Sequence, residues 1–181
     1  MNLAQFEHAI RAAGAILNTD EVLVIGSQAI HATLSPPFPE AERSIEVDIA
    51  SLGRDAESKA DLLDGSIGEL SAFQSTFGYY AQGVTPETAV LPSGWRRRLV
   101  RYASPSTNGV TALCLEAHDL WISKAVAGRP KDREFCDAMF AHALVERDVL
   151  KARLRKVRGI APEVRSLVGA AIDREGRDAP R

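Results

Sequence analysis

The chain's 181 residues suit one domain, or one domain with a helical extension, rather than two independent cores. A hydrophobic share of 45% is that of an ordinary globular protein, and 22 Lys and Arg against 24 Asp and Glu give a formal net charge of -2, which excludes a global basic field. No stretch approaches the ~20 apolar residues of a membrane span, and the opening Met-Asn-Leu-Ala-Gln-Phe-Glu-His has neither the basic start nor the apolar run of a signal peptide, so a cytoplasmic setting is expected.

Leu3, Phe6, Ile10, Ala13 and Leu17 recur at three- and four-residue steps and predict an opening amphipathic helix, which Asn18-Thr19-Asp20 breaks. The short apolar run Val22-Leu23-Val24-Ile25 predicts a strand buried on both faces. Gly26-Ser27 then turns into a short helical piece over 28–34, followed by the rigid loop Ser35-Pro36-Pro37-Phe38-Pro39. A second strand is predicted over 44–50. There Ile45, Val47 and Ile49 share one face, and Glu46 and Asp48 share the other.

Residues 55–63 read as helix and 77–84 as a third strand, while 97–103 and 110–115 read as an antiparallel hairpin around a turn-rich loop. Helices are predicted over 117–128, 131–143, 148–157 and 162–173, before a charged tail. Cys114 and Cys136 lie in apolar surroundings outside any Cys-x-x-Cys pair and read as buried thiols. The four histidines lack metal-ligand spacing, so no zinc is expected.

Three constellations could carry chemistry. Gly26-Ser27 after a strand lets backbone amides and a hydroxyl approach a phosphate, although a plain turn with Ser27 as N-cap has the same sequence. Glu46 and Asp48, two apart on a strand, point the same way and can reach one hard cation; a solvated acidic face is the plainer alternative. Lys124, Arg129 and Lys131 gather basic charge around a helix break that could neutralise a triphosphate. Equally, Gly128-Arg129-Pro130 ends one helix and Asp132 starts the next. There is no Gly-x-Gly-x-x-Gly and no Walker lysine, so the dinucleotide and P-loop readings lack their key residues.

In this order the three pieces resemble the DNA-polymerase-β-like nucleotidyltransferases, whose pattern is an apolar residue and Gly-Ser followed by a strand with two acids one residue apart. Here these are Ile25-Gly26-Ser27 and Glu46-Val47-Asp48. The stretch from Asp119 to Asp132, with Lys124, Arg129 and Lys131, resembles a motif of the AbiE-type toxin branch. It looks closer still to uncharacterised bacterial nucleotidyltransferase-like proteins, as do Phe-Gly-Tyr-Tyr-Ala-Gln-Gly-Val at 77–84 and Leu-Pro-Ser-Gly-Trp at 91–95. The resemblance runs from about residue 22 to 135. The chain departs from the pattern in its long Ser27-to-Glu46 spacing, in Glu as first acid, and in a third strand with no carboxylate.

The resemblance implies an α/β (α+β) fold, a small mixed β-sheet of nucleotidyltransferase type flanked by helices. Residues 1–115 would form the core, 116–175 a C-terminal helical subdomain packed on it, and 176–181 a frayed tail. The implied function is magnesium-dependent transfer of a nucleotidyl group from an NTP to an RNA or protein acceptor. Glu46 and Asp48 would be catalytic and hold Mg2+, and Gly26, Ser27, Lys124, Arg129 and Lys131 would bind nucleotide. A toxin role would add a tRNA or protein acceptor and an antitoxin protein as partner, with no membrane involved. The alternative is a catalytically degenerate module of the same fold that binds nucleotide or a partner protein.

Overall fold

The computed structural model describes residues 1–34, 37–53 and 55–175. Ser35 and Pro36 of the proline loop, and the tail expected to fray over 176–181, lie outside them. The chain divides into two compact units, one made of Met1–Thr88 and Leu99–Leu115, the other of Ala89–Arg98 and the residues from Glu116 onward.

The first unit opens with α1 (Leu3–Leu17), started by a capping box between Asn2 and Gln5 and stopped at Asn18, whose φ of 48° is left-handed. Its apolar stripe, Phe6, Ala9, Ile10, Ala13 and Leu17, is buried as the periodicity requires. Among the described residues the strands are β1 (Glu21–Val24), β2 (Glu46–Ala50), β3 (Tyr80–Gly83), β4 (Val100–Tyr102) and β5 (Thr111–Cys114). They form one mixed sheet in the order β3-β2-β1-β5-β4. Central β1 runs parallel to β5 and antiparallel to β2, and β2 runs parallel to β3. A strand with a neighbour on each side and both faces covered needs apolar side chains throughout, and Val22, Leu23 and Val24 are all buried. The expected hairpin forms as antiparallel β4 and β5. Two short helices, α2 (Pro39–Glu42) and α4 (Ala72–Phe77), and the longer α3 (Ala56–Ile67) complete this unit.

Two strand boundaries differ from expectation. Residues 77–79 are not strand, because α4 runs to Phe77 and ends at Gly78 with φ of 77°. Ser71 caps this helix by accepting from the Gln74 N–H. Its rings, Phe73 and Phe77, pack around His8 and Tyr79, so the aromatic run marks a helix-end cluster instead of a pleated edge. Residues 97 and 98 belong to a 3-10 turn, Trp95–Arg98, and the strand begins only at Val100. Ile45 precedes the ladder of β2 and is 50% exposed, while Val47 and Ile49 are fully buried.

The second unit holds α5 (Ala117–Ala127), α6 (Pro130–Ala141), α7 (Arg147–Leu154) and α8 (Pro162–Glu175). Trp121, buried in its core, donates its indole N–H to the Cys136 carbonyl at 3.2 Å. Asp119 is fully buried and receives the Arg98 guanidinium in two bonds of 2.8 and 3.0 Å, with Arg153 3.5 Å away. Burial pushes the Asp119 carboxyl up, against the pull of Arg98 and Arg153. Both cysteines are buried free thiols. Among the described residues no helix is long and apolar enough to cross a membrane.

Candidate functional site

The end of β1 is brought against β2 by the Ile25 N–H, which donates to the Asp48 carbonyl at 3.2 Å. Gly26 follows with φ -91° and ψ -167°, an extended backbone that any residue can adopt. Its glycine identity therefore has a steric reason. A Cβ added to Gly26 would lie 1.6 Å from Asp48 Oδ2 and 2.6 Å from its Cγ. The Asp48 carboxylate rests directly on the bare Cα of Gly26, so the two motifs picked out in the sequence meet here.

Glu46 lies on the same face of β2 as Asp48, both half-buried. In the parallel register Glu46 stands beside Tyr80 and Asp48 beside Gln82. The Tyr80 hydroxyl donates to Glu46 Oε2 at 3.0 Å. Burial first, then the bond and charge of Glu46, pushes the Tyr80 phenol up to about 12, so it stays a neutral donor that fixes the Glu46 carboxylate. The β3 residue that stands beside Asp48 is thus an amide, Gln82, not a carboxylate. Its amide donates to both oxygens of Asp64 from α3, at 3.0 and 3.1 Å, and Asp64 also accepts the Gly83 N–H at 2.7 Å.

Asp64 thus satisfies a backbone donor and a side-chain amide together. Asp64→Ala is expected to destabilise the protein by about 1–3 kcal/mol, because both donors lose their partner while partly buried. A urea titration checks this, and Asp64→Asn, which keeps one acceptor oxygen, should lose less.

Ser27 begins a six-residue 3-10 helix, Ser27–Ala32, and is 9% exposed. Gly26, not Ser27, occupies the N-cap position, so the plain serine-capped turn does not form. The Ser27 hydroxyl has no hydrogen-bond partner among the described residues. A helix this short adds little macrodipole, which leaves backbone amides and the hydroxyl as the donors of this turn.

Sequence reasoning proposed three basic residues in the helical unit. Two of them meet there: Lys124 Nζ lies 3.4 Å from Asp132 Oδ1, and Arg129 Nε donates to Asp132 Oδ2 at 2.6 Å. Asp132 is 1% exposed, and Lys124 also stands over the Phe135 ring at 5.6 Å. Lys131 is exposed at the start of α6. The structure thus gathers Gly26, Glu46 and Asp48 in the sheet unit, and Lys124 and Arg129 in the helical one. Tyr80 and Asp64 were missed. Each depends on strand register or on a helix-to-edge contact, which no local pattern encodes.

Among the described residues no group of three or more His, Cys, Asp and Glu is placed to hold a metal. Two carboxylates on one strand face remain, hard oxygen donors of the kind that bind magnesium together with substrate phosphates. By residue type and shared strand face, Glu46 and Asp48 would suit such an ion as two of its ligands.

No curated protein and no solved structure matches the chain. A family model described as nucleotidyltransferase of unknown function (DUF6036) matches residues 2–166, spanning the sheet and most of the helical unit, and the chain belongs to that family.

Proposed function

We propose that this protein is a magnesium-dependent nucleotidyltransferase that moves a nucleotidyl group from an NTP to an RNA or protein acceptor. The observation that supports it most is the Asp48 carboxylate lying on Gly26, which puts a metal-type ligand directly beside the Gly26-Ser27 turn. Gly26 and Ser27 would receive the β- and γ-phosphates through backbone amides and the Ser27 hydroxyl. Glu46 and Asp48 would hold the magnesium, which supplies charge neutralisation for the phosphates and the leaving group. Tyr80 acts as a positioning residue, keeping one Glu46 oxygen in place. Lys124, Arg129 and Lys131 are the helical unit's candidates for offsetting triphosphate charge. For Lys124 that means leaving its pairing with Asp132. Resemblance to the AbiE-type branch extends the reading, by analogy alone, to a toxin with a tRNA acceptor and an antitoxin partner.

Calorimetric titration of NTP with and without magnesium tests the site. Asp48→Ala is expected to lower magnesium-dependent NTP affinity at least about tenfold with little loss of stability, since it removes one of two neighbouring like charges. Unchanged affinity would leave Glu46 and Asp48 as a solvated acidic face. In the same titration Lys124→Ala should weaken triphosphate much more than nucleoside, and equal effects would make Lys124 purely structural. Transfer itself is read by incubating the protein with labelled NTPs and cell extract and looking for label on RNA or protein.

Gln82 beside Asp48 favours a second reading, a nucleotide-binding module without turnover. Magnesium-dependent NTP binding with no labelled product would establish it.

A further inference from the structure

The helical unit carries a concentrated basic groove that the nucleotide site does not use. Its walls are the 3-10 turn Trp95–Arg98 and the segment after α7, tied together by the Ser93 N–H donating to the Lys156 carbonyl at 3.0 Å. The space between them is about 560 Å³, lined by Arg97, Arg98, Arg155, Lys156 and Arg158 together with Ser93 and Gly94. Among the described residues no carboxylate and no large apolar side chain lines it.

Arg98 is spent internally, donating to buried Asp119 and to the Pro92 and Ser93 carbonyls, so it braces the turn. Arg97, Arg155, Lys156 and Arg158 are exposed and form no ion pair with a described residue. Exposed Arg96 stands beside the groove, its guanidinium 4.7 Å from the centre of the Trp95 ring. Five outward cations therefore cluster on a chain whose net charge is -2. Holding so many like charges together without acids opposes folding, and a polyanion that neutralises them removes that repulsion.

We propose that this groove binds the phosphodiester backbone of RNA, as the acceptor of the transfer proposed above. The identity of the acceptor rests on that reading; the binding itself does not. Arginines outnumber lysines four to one across these five residues, and a guanidinium fork matches phosphate oxygens two at a time. The concave shape and the lack of apolar side chains do not suit a lipid surface, which rewards buried hydrocarbon. Evenly spaced backbone phosphates also release condensed counterions on binding, so the affinity is electrostatic and largely indifferent to sequence.

Fluorescence anisotropy with the full chain and a labelled single-stranded RNA, without NTP or magnesium, tests the groove. With five cations engaged, log affinity should fall against log salt with a slope of about -3.5. The variant carrying Arg97→Ala, Arg155→Ala and Arg158→Ala changes only exposed side chains. It should lose at least about tenfold in affinity and shed about 2 from the slope, and the same positions as lysine should restore most of both. Asp48→Ala should bind RNA as the unaltered protein does. RNA affinity unchanged in the triple alanine variant would overturn the proposal, as would preference for anionic phosphatidylserine vesicles or poly-glutamate over RNA. NTP titration of the same variant keeps the two readings apart. Lost RNA binding with intact NTP affinity supports the groove assignment, and absent NTP binding in every variant counts against the transferase reading alone.

Discussion

Gly26→Ala is expected to remove magnesium-dependent NTP binding and to cost about 1–3 kcal/mol of stability, the range for forcing an extra methyl into a packed site. The added Cβ would meet Asp48 at Oδ2, Cγ and Cβ, at 1.6, 2.6 and 3.0 Å, so rotation of the carboxylate tip alone cannot clear it. Either the Asp48 side chain swings away from the turn, or the β1 end separates from β2 and strains the Ile25-to-Asp48 bond. The backbone contributes no penalty of its own, since Gly26 is extended. That makes the origin of the loss checkable by a double-mutant cycle. In an Asp48→Ala background the same substitution should cost much less stability, because Oδ2 and Cγ are gone and only the 3.0 Å approach to Cβ remains, while NTP binding stays absent. Urea denaturation of the four proteins and calorimetry on each read both quantities. A full stability cost in the Asp48→Ala background would mean that the turn itself, not the carboxylate, excludes a side chain.

Asp132→Ala is expected to cost more, about 3–5 kcal/mol, the range for breaking a buried ion pair from one side. Asp132 is 1% exposed and holds both Lys124, itself 13% exposed, and Arg129, so its removal strands the lysine charge near the Phe135 ring. Burial pushes the Asp132 carboxyl up, but Arg129 and Lys124 together more than offset this, and it titrates below its ordinary range. A carboxylate whose folded pKa is depressed adds stability that is fully present above the unfolded value, about 3.9. That share is lost as pH falls through the folded value. The unaltered protein should therefore lose stability between about pH 5 and pH 2 in part through Asp132, and Asp132→Ala should flatten that portion of the curve. Lys124→Met in the Asp132→Ala background should recover much of the loss, since it removes the stranded charge and keeps the stem that covers Phe135. Chemical denaturation across pH for the three proteins measures this, and no recovery would place the main cost on Arg129 instead.

The sheet's centre was legible because it obeys local rules. An uninterrupted apolar run specified β1, and alternation in β2 put Glu46 and Asp48 on one face before any pairing was known. The meeting of Asp48 with Gly26 was legible only as a coincidence of motifs. What makes it physical is β1 pairing antiparallel with β2, with Val24 opposite Ile49. The aromatic run at 77–80 misled because strands and helix-end clusters both favour such residues. The deciding signals were Ser71 with Gln74 as a cap and Gly78 as a stop, both present in the sequence. Lys124 was legible as one of three basic residues near a helix break, but its partner Asp132 looked like a helix-start residue, and burial at that position has no local signature. Asp64 lies eighteen residues from Gln82 and was invisible for the same reason.

The Asp64 contact also bears on how this protein avoids itself. β3 is a border strand, with β2 on one side and, among the described residues, no strand on the other. An open border offers its amides as a template for a neighbouring molecule's strand. Here the Gly83 N–H, which would otherwise point into that opening, is already occupied by the Asp64 carboxylate of α3. A second chain seeking to extend the sheet at this point would meet a spent donor and a negative charge in place of a free amide. The side chain that anchors α3 to β3 therefore also acts as a guard against ribbon-like self-association, and its loss would show first at high protein concentration.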